Sequence, residues 1–241
     1  MNCDAIIHRH TAQWVSDTPF LLWEIGPKSI IEHWVDILFE SNSTITLWLE
    51  ETDSRLISFL NRSFPLCERS IIRIGLPKEA TGTCTFISPS GSIVVRHDGK
   101  LTPYLTDQLP SITWFNLVRA WLISLRDLGS HTPELVTEIQ PGVFIGHHCH
   151  IAKGTTFHSP CWVGSGTTIL GGTIGPFAMI GGHCVISDGV RISESCVLSH
   201  TFIGKNLLLD GLVAGGCGFL SHQTATLVKV SDRTMLRRLA V

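Results

Sequence analysis

From Ile145 onward a large apolar residue returns at every sixth position: Ile145, Ile151, Phe157, Val163 and Ile169. After one five-residue step the series resumes at Ile174, Ile180, Ile186 and Ile192, and after a second at Val197, Ile203 and Leu209. A helix face repeats at about 3.6 residues and a half-buried strand alternates at two, so neither accounts for a sustained period of six. The pattern is that of a parallel coil of short strands, in which each repeat buries its apolar face only against its neighbours. Three such repeats make one turn in the fold this pattern resembles, which implies roughly four turns over residues 142–212.

The positions between the large residues fall into columns. Four residues after each comes a small one: Cys149, Thr155, Cys161, Thr167, Thr173, Ala178, Cys184, Val190 and Cys196. Cysteine behaves as a small hydrophobe in such slots, which predicts packing and not reactivity for these thiols. Three residues after each comes a corner: His148, Gly154, Pro160, Gly166, Gly172, Phe177, His183, Gly189, Ser195, His200 and Asn206. Gly and Asn there suit a tight turn with positive φ. The frame stacks His148, Gly166, His183 and His200 along one edge at about 4.8 Å per turn, a histidine column. Such a column offers a general base or an anion or metal contact; the favoured reading is that of solvated corner residues, since His tolerates left-handed backbone. His147, His150 and His158 lie outside it.

Before the coil the pattern changes. Residues 3–7 form a short apolar run, and Pro27 is expected to open a helix with Ile30, Ile31, Trp34, Val35, Ile37 and Leu38 on one face and Glu32, Asp36 and Glu40 off it. Residues 44–49 read as a strand, 53–64 as a helix capped by Thr52 or Asp53, and 70–75 as another strand. This β-α-β-α-β order implies a short parallel sheet of the mononucleotide-binding sort. A hairpin follows, Thr85-Phe86-Ile87 and Ile93-Val94-Val95 joined through Ser88-Pro89-Ser90-Gly91, then a mainly apolar helix over 114–128. Gly129-Ser130-His131-Thr132-Pro133 marks the boundary. The expected fold class is α/β plus β: a short Rossmann-like domain over 1–130, then a coil of hexapeptide repeats with a C-terminal cap over 131–241. The segment 231–241, carrying Arg233, Arg237 and Arg238, is expected to cover the open end of the coil, with an anion site there as the alternative.

Composition narrows the partners. With 44% hydrophobic and 16% charged residues, the chain has the means to build a sizeable core. A net charge of −2 with no basic block lacks the electrostatic footprint of a nucleic-acid binder. Residues 1–17 show no basic-then-apolar leader, and no run approaches the roughly 18 apolar residues of a membrane span, so a cytoplasmic location is expected. The eight cysteines contain no C-x-x-C pair, and neither a disulfide framework nor a metal site is expected. His97 and Asp98 are adjacent and read as a turn, not as ligands. The tryptophans at 14, 23, 34, 48, 114, 121 and 162 fall mostly on predicted core faces.

With the hexads and the stretch Thr18-Pro19-Phe20-Leu21-Leu22-Trp23-Glu24-Ile25-Gly26-Pro27-Lys28-Ser29-Ile30-Ile31-Glu32-His33 in view, the chain resembles the sugar-1-phosphate nucleotidylyltransferases that carry a C-terminal left-handed β-helix. That stretch is similar to the family segment ending in Gly-Lys-Pro-Ile-Ile-Glu. The resemblance implies a left-handed coil, against the usual right-handed crossover preference, and a role in sugar-nucleotide metabolism. It also implies a homo-oligomer assembled through the β-helix, a sugar phosphate or nucleotide as ligand, and Mg²⁺ if nucleotidyl transfer survives.

The first domain departs from that family. Members place a Gly-rich phosphate loop near the start, followed by a Pro-Lys pair; here Ile6-Ile7-His8-Arg9-His10-Thr11-Ala12-Gln13-Trp14 has no glycine, and Phe20 follows Pro19. Between Gly75 and Trp114 the carboxylates are Glu79, Asp98 and Asp107, none in a strand-Gly-Asp setting suited to Mg²⁺. The domain is reduced and its transfer site incomplete, with Arg9 and Lys28 the cations left to meet a substrate. Two other function classes therefore stand beside the family one. A hexapeptide-repeat acyltransferase would use acyl-CoA, with His148, His183 or His200 as base and amides near Gly181-Gly182 or Gly215-Gly216 as oxyanion donors. A non-catalytic scaffold would bind a ligand or partner and assemble through the coil.

Overall fold

The computed structural model describes residues 2–7, 22–41, 44–49, 54–63, 70–74, 83–87, 93–97, 100–103, 110–128, 136–224 and 226–240. They divide into two compact units, one drawn from residues 1–12, 19–22 and 29–113 and the other from 13–18, 23–28 and 114–241.

In the first unit six strands form one sheet. Asn2–Ile7 pairs in parallel with Thr44–Leu49 on one side and Thr83–Ile87 on the other, and Ser70–Ile74 extends the parallel set beyond Thr44–Leu49. The expected hairpin is present, with Ile87 opposite Ile93 and Phe86 opposite Val94. The sequence reading missed a last strand, Lys100–Pro103, which runs antiparallel to Ile93–His97. Two helices accompany the sheet, α1 (Ile30–Ser41) and α2 (Ser54–Ser63).

The start of α1 corrects the expectation at Pro27. Pro27 lies in a turn between the short strands Glu24–Ile25 and Lys28–Ser29, and the helix opens three residues later. Ser29 is the cap: its N–H donates to the Glu32 carboxylate at 2.7 Å, while the Glu32 N–H reaches Ser29 Oγ at 3.4 Å. This reciprocal capping box satisfies amides that the first turn leaves without helical partners, which a proline at the first position does not do. Ile30, Ile31 and Val35 are buried and Asp36 is exposed, as the amphipathic pattern requires. The expected caps of α2, Thr52 and Asp53, lie outside the described residues.

The second unit contains α3 (Pro110–Leu128) from Trp114 onward, grouped with the coil and not with residues 29–113. The coil is a parallel β-solenoid of three sheets. Along one face Ile145 pairs with Val163, Val163 with Ile180 and Ile180 with Val197; along a second, Ile151, Ile169, Ile186 and Ile203 line up; along the third, Phe157, Ile174, Ile192 and Leu209. All twelve periodic residues face the inside, Ile151 and Phe157 of the first turn half-buried and the rest buried. Full burial of one such side chain stabilises by about 1.5–3 kcal/mol, so the stack supplies most of the unit's cohesion. Six of the nine residues of the small column, Cys161, Thr167, Ala178, Cys184, Val190 and Cys196, are solvent-excluded, while Cys149, Thr155 and Thr173 are half-buried.

The corners match with one shift. His148, Phe177, His183, His200 and Asn206 have φ between 53° and 59°, and Gly154, Gly166, Gly172 and Gly189 are also positive. At the expected corner Ser195 the left-handed residue is instead Glu194, φ 44°, because the five-residue step between Ile192 and Val197 removes one position from the turn. Ser195 turns inward, where its hydroxyl donates to the Ser193 carbonyl at 2.7 Å and accepts from the Leu212 N–H at 3.0 Å.

Both ends of the solenoid are closed by antiparallel strands, Val136–Gln140 against Val143–Gly146 at the start, and Gly218–Ser221 then Leu227–Lys229 at the end. The chain finally folds back so that Leu236–Arg238 pairs with Thr201–Ile203 and Leu236 seals the core. This is the covering expected of the terminal segment.

Candidate functional site

The histidine column has a break in it. Gly166 occupies the level between His148 and His183, where its N–H bonds to the His147 carbonyl and the His183 N–H bonds to the Ser165 carbonyl. A β-carbon at Gly166 would stand 2.5 Å from His183 Nδ1, so the absence of a side chain there leaves room for the His183 ring. His183 and His200, on successive turns, stack with centroids 5.2 Å apart and planes 11° from parallel. His148 is exposed, with its ring tilted against His147 at 6.3 Å, and does not join the pair.

The pair borders a pocket of about 220 Å³. Its floor is backbone, at Gly164 and Gly182. A β-carbon on Gly164 would lie 2.5 Å from the Gly182 nitrogen, and one on Gly181 would lie 2.6 Å from that of Ser199. This close approach of successive turns is why a small residue follows Val163 and Ile180. Trp162 forms one wall, held edge-on by Trp121 of α3 at 5.0 Å.

A carboxylate reaches the pocket from far away in sequence. Glu24 accepts a hydrogen bond from Ser199 Oγ, which itself accepts from the Gly182 N–H at 2.8 Å. The segment Trp23–Lys28 is fixed by α3 and the coil: Trp23 packs edge-on against Trp114 at 5.0 Å, Trp114 Nε1 donates to the Glu24 carbonyl at 3.2 Å, and the Gly26 N–H meets Met179 Sδ at 3.4 Å. Gly26, φ 65°, sits so close to the Trp121 ring that no side chain fits. Sequence reasoning missed Glu24 and Ser199, because Trp23-Glu24-Ile25-Gly26-Pro27 was taken as part of a nucleotide-domain signature.

Burial lowers the basicity of His200, and the neighbouring His183 and Arg238 lower it further. His200 is therefore neutral at neutral pH and able to accept a proton. The thiols of Cys161 and Cys184 are pushed up to about 12 by burial, and that of Cys196 is raised for the same reason, which removes them as nucleophiles. The Gly181 and Gly182 amides expected as oxyanion donors are already engaged, by the Val197 carbonyl and by Ser199 Oγ. Lys28 is exposed and near the Pro27 rim of the pocket without lining it; Arg9 lies outside the described residues. Among the described residues no three His, Cys, Asp or Glu side chains come together as a metal site, and no helix is long and apolar enough to cross a membrane.

No protein-family model matches the chain, and no curated protein is significantly similar to it.

Proposed function

We propose that the chain is a transferase-like protein of sugar-nucleotide metabolism, a reduced form of the two-part nucleotidylyltransferase architecture, whose working site is the coil pocket at His183 and His200. The coil is then left-handed, as its hexads are in that architecture, and the region 1–130 is its shortened Rossmann-like domain. The pairing of His183 with His200 beside the Glu24 carboxylate supports the choice of the coil pocket, while the family part of the reading rests on the hexads and the stretch over residues 18–33.

The chemistry that suits the pocket is acyl transfer from acyl-CoA to a hydroxyl or amine of a sugar phosphate. Neutral His200 takes the proton from the attacking group as the new acyl bond forms, the carbon–sulfur bond breaks, and the departing thiolate recovers a proton from the imidazolium. Glu24, held by Ser199, brings a carboxylate to the same pocket. A second reading, nucleotidyl transfer with Mg²⁺, is favoured by the parallel order of Ser70–Ile74, Thr44–Leu49, Asn2–Ile7 and Thr83–Ile87.

Thermal midpoints of the whole chain with CoA, acetyl-CoA, sugar phosphates and nucleoside triphosphates plus Mg²⁺ test the choice, because a ligand that binds only the folded state raises the midpoint. Protection by acetyl-CoA, with acyl transfer lowered about 10²–10⁴-fold in His200→Asn, supports the coil site. Protection by nucleotide alone moves the function to the first domain, and protection by nothing leaves a scaffold.

A further inference from the structure

At the C-terminal end of the coil the cap creates two clefts, of about 600 and 500 Å³, which share Arg233 and Arg237. Lys229 and Arg238 line the first and Lys205 the second. Among the described residues no carboxylate lies within ion-pair distance of Arg233, Arg237, Lys205 or Lys229. The adjacent Asp232 accepts from the Thr234 N–H at 2.8 Å and its hydroxyl at 2.7 Å, and its charge offsets one of these cations. Arg237 is held in place by stacking over the Phe202 ring at 4.6 Å. Five cations, Arg233, Arg237, Arg238, Lys205 and Lys229, thus line two adjoining clefts beside one carboxylate, Asp232, on a chain whose net charge is −2. Their mutual repulsion costs stability unless an anion offsets it.

We propose that this groove is a binding site for a diphosphate-bearing small molecule, gripped by Arg233 and Arg237 where the clefts meet, with Lys229 and Lys205 on either side. The charge balance selects the ligand class. One phosphate carries about −1.5 to −2 at neutral pH and offsets about half of the cluster, whereas two linked phosphoryl groups match it and present oxygens to both guanidinium forks. The clefts share no lining residue with the pocket at His183 and His200.

The test is titration of the full chain with inorganic diphosphate, without divalent cations, against inorganic phosphate and against KCl at matched ionic strength. Saturable binding tighter than that of phosphate is expected, weakened about tenfold or more in Arg233→Gln, since a charge-assisted hydrogen bond is worth at least that factor. Arg233 and Lys229 are exposed, so Lys229→Gln gives a second variant that leaves the fold alone. Uridine diphosphate distinguishes the source: tighter binding than inorganic diphosphate identifies a nucleotide, and equal binding identifies the diphosphate group alone. A response no larger than that to KCl, or one unchanged in both variants, overturns the proposal.

Discussion

The His183 and His200 rings are stacked 5.2 Å apart at the edge of a pocket that also holds Glu24. Burial lowers the basicity of His200, and the neighbouring His183 adds to that effect. His200 is expected to titrate below the ordinary histidine value near 6.5, and His183→Ala is expected to bring it back toward that value. Imidazole resonances followed by NMR across pH 4.5–8 check this. A His200 midpoint unmoved by His183→Ala would show that the two rings do not interact.

The same shift makes stability depend on pH. The folded-state basicity of His200 lies below its unfolded value, as does that of buried His222, whose ring stacks on Phe115 at 3.7 Å. In the window between the two values the unfolded chain binds more protons, so stability is full above about pH 6.5 and declines as pH falls through the folded-state values. Urea midpoints at pH 7.5 and 5.5 are expected to fall with acidification. His222→Phe keeps the stack and removes a buried ring nitrogen that has no hydrogen-bond partner, so its midpoint should depend less on pH.

Two glycines separate backbone strain from crowding. Gly154 has φ 91° with open space around it, and Gly164 has ordinary φ but the next turn's backbone in contact. Gly154→Ala is expected to cost about 1–2 kcal/mol through φ alone. Gly164→Ala must push two turns apart and is expected to cost about 3 kcal/mol or more, measured by equilibrium unfolding. Equal costs would contradict the close packing of turns at the pocket floor.

Thiol labelling reads the solenoid interior. Of the described cysteines Cys217 is exposed, Cys149 half-buried and Cys161, Cys184 and Cys196 buried with raised pKa values. Alkylation of the native protein followed by peptide mass spectrometry is expected to modify Cys217 rapidly and leave Cys161, Cys184 and Cys196 intact until the chain unfolds. Early modification of Cys184 would mean that the coil opens at the histidine edge.

Much of the solenoid was legible before any coordinates. Twelve apolar residues at a fixed spacing have one geometric solution, because a residue returning every sixth position must meet its equivalents on the adjacent turns. The burial of Cys161, Cys184 and Cys196 and the left-handed corners at His148, His183, His200 and Asn206 follow from that frame. The shift from Ser195 to Glu194 was not visible, since a five-residue step can lose its residue at either side of the corner. The start of α1 was misplaced because Pro27 is compatible with both a helix start and a turn, and only the Ser29–Glu32 bonds choose between them.

The sequence by itself determined the coil, its period and its columns, since these depend on contacts between residues at regular separations. Only the tertiary structure decided the site. Glu24 and Ser199 are 175 residues apart, and no local period links them. What brings them together is the packing of Trp23 on Trp114 and of Gly26 under Trp121. That depends on shape complementarity between non-adjacent surfaces, which composition and periodicity do not encode.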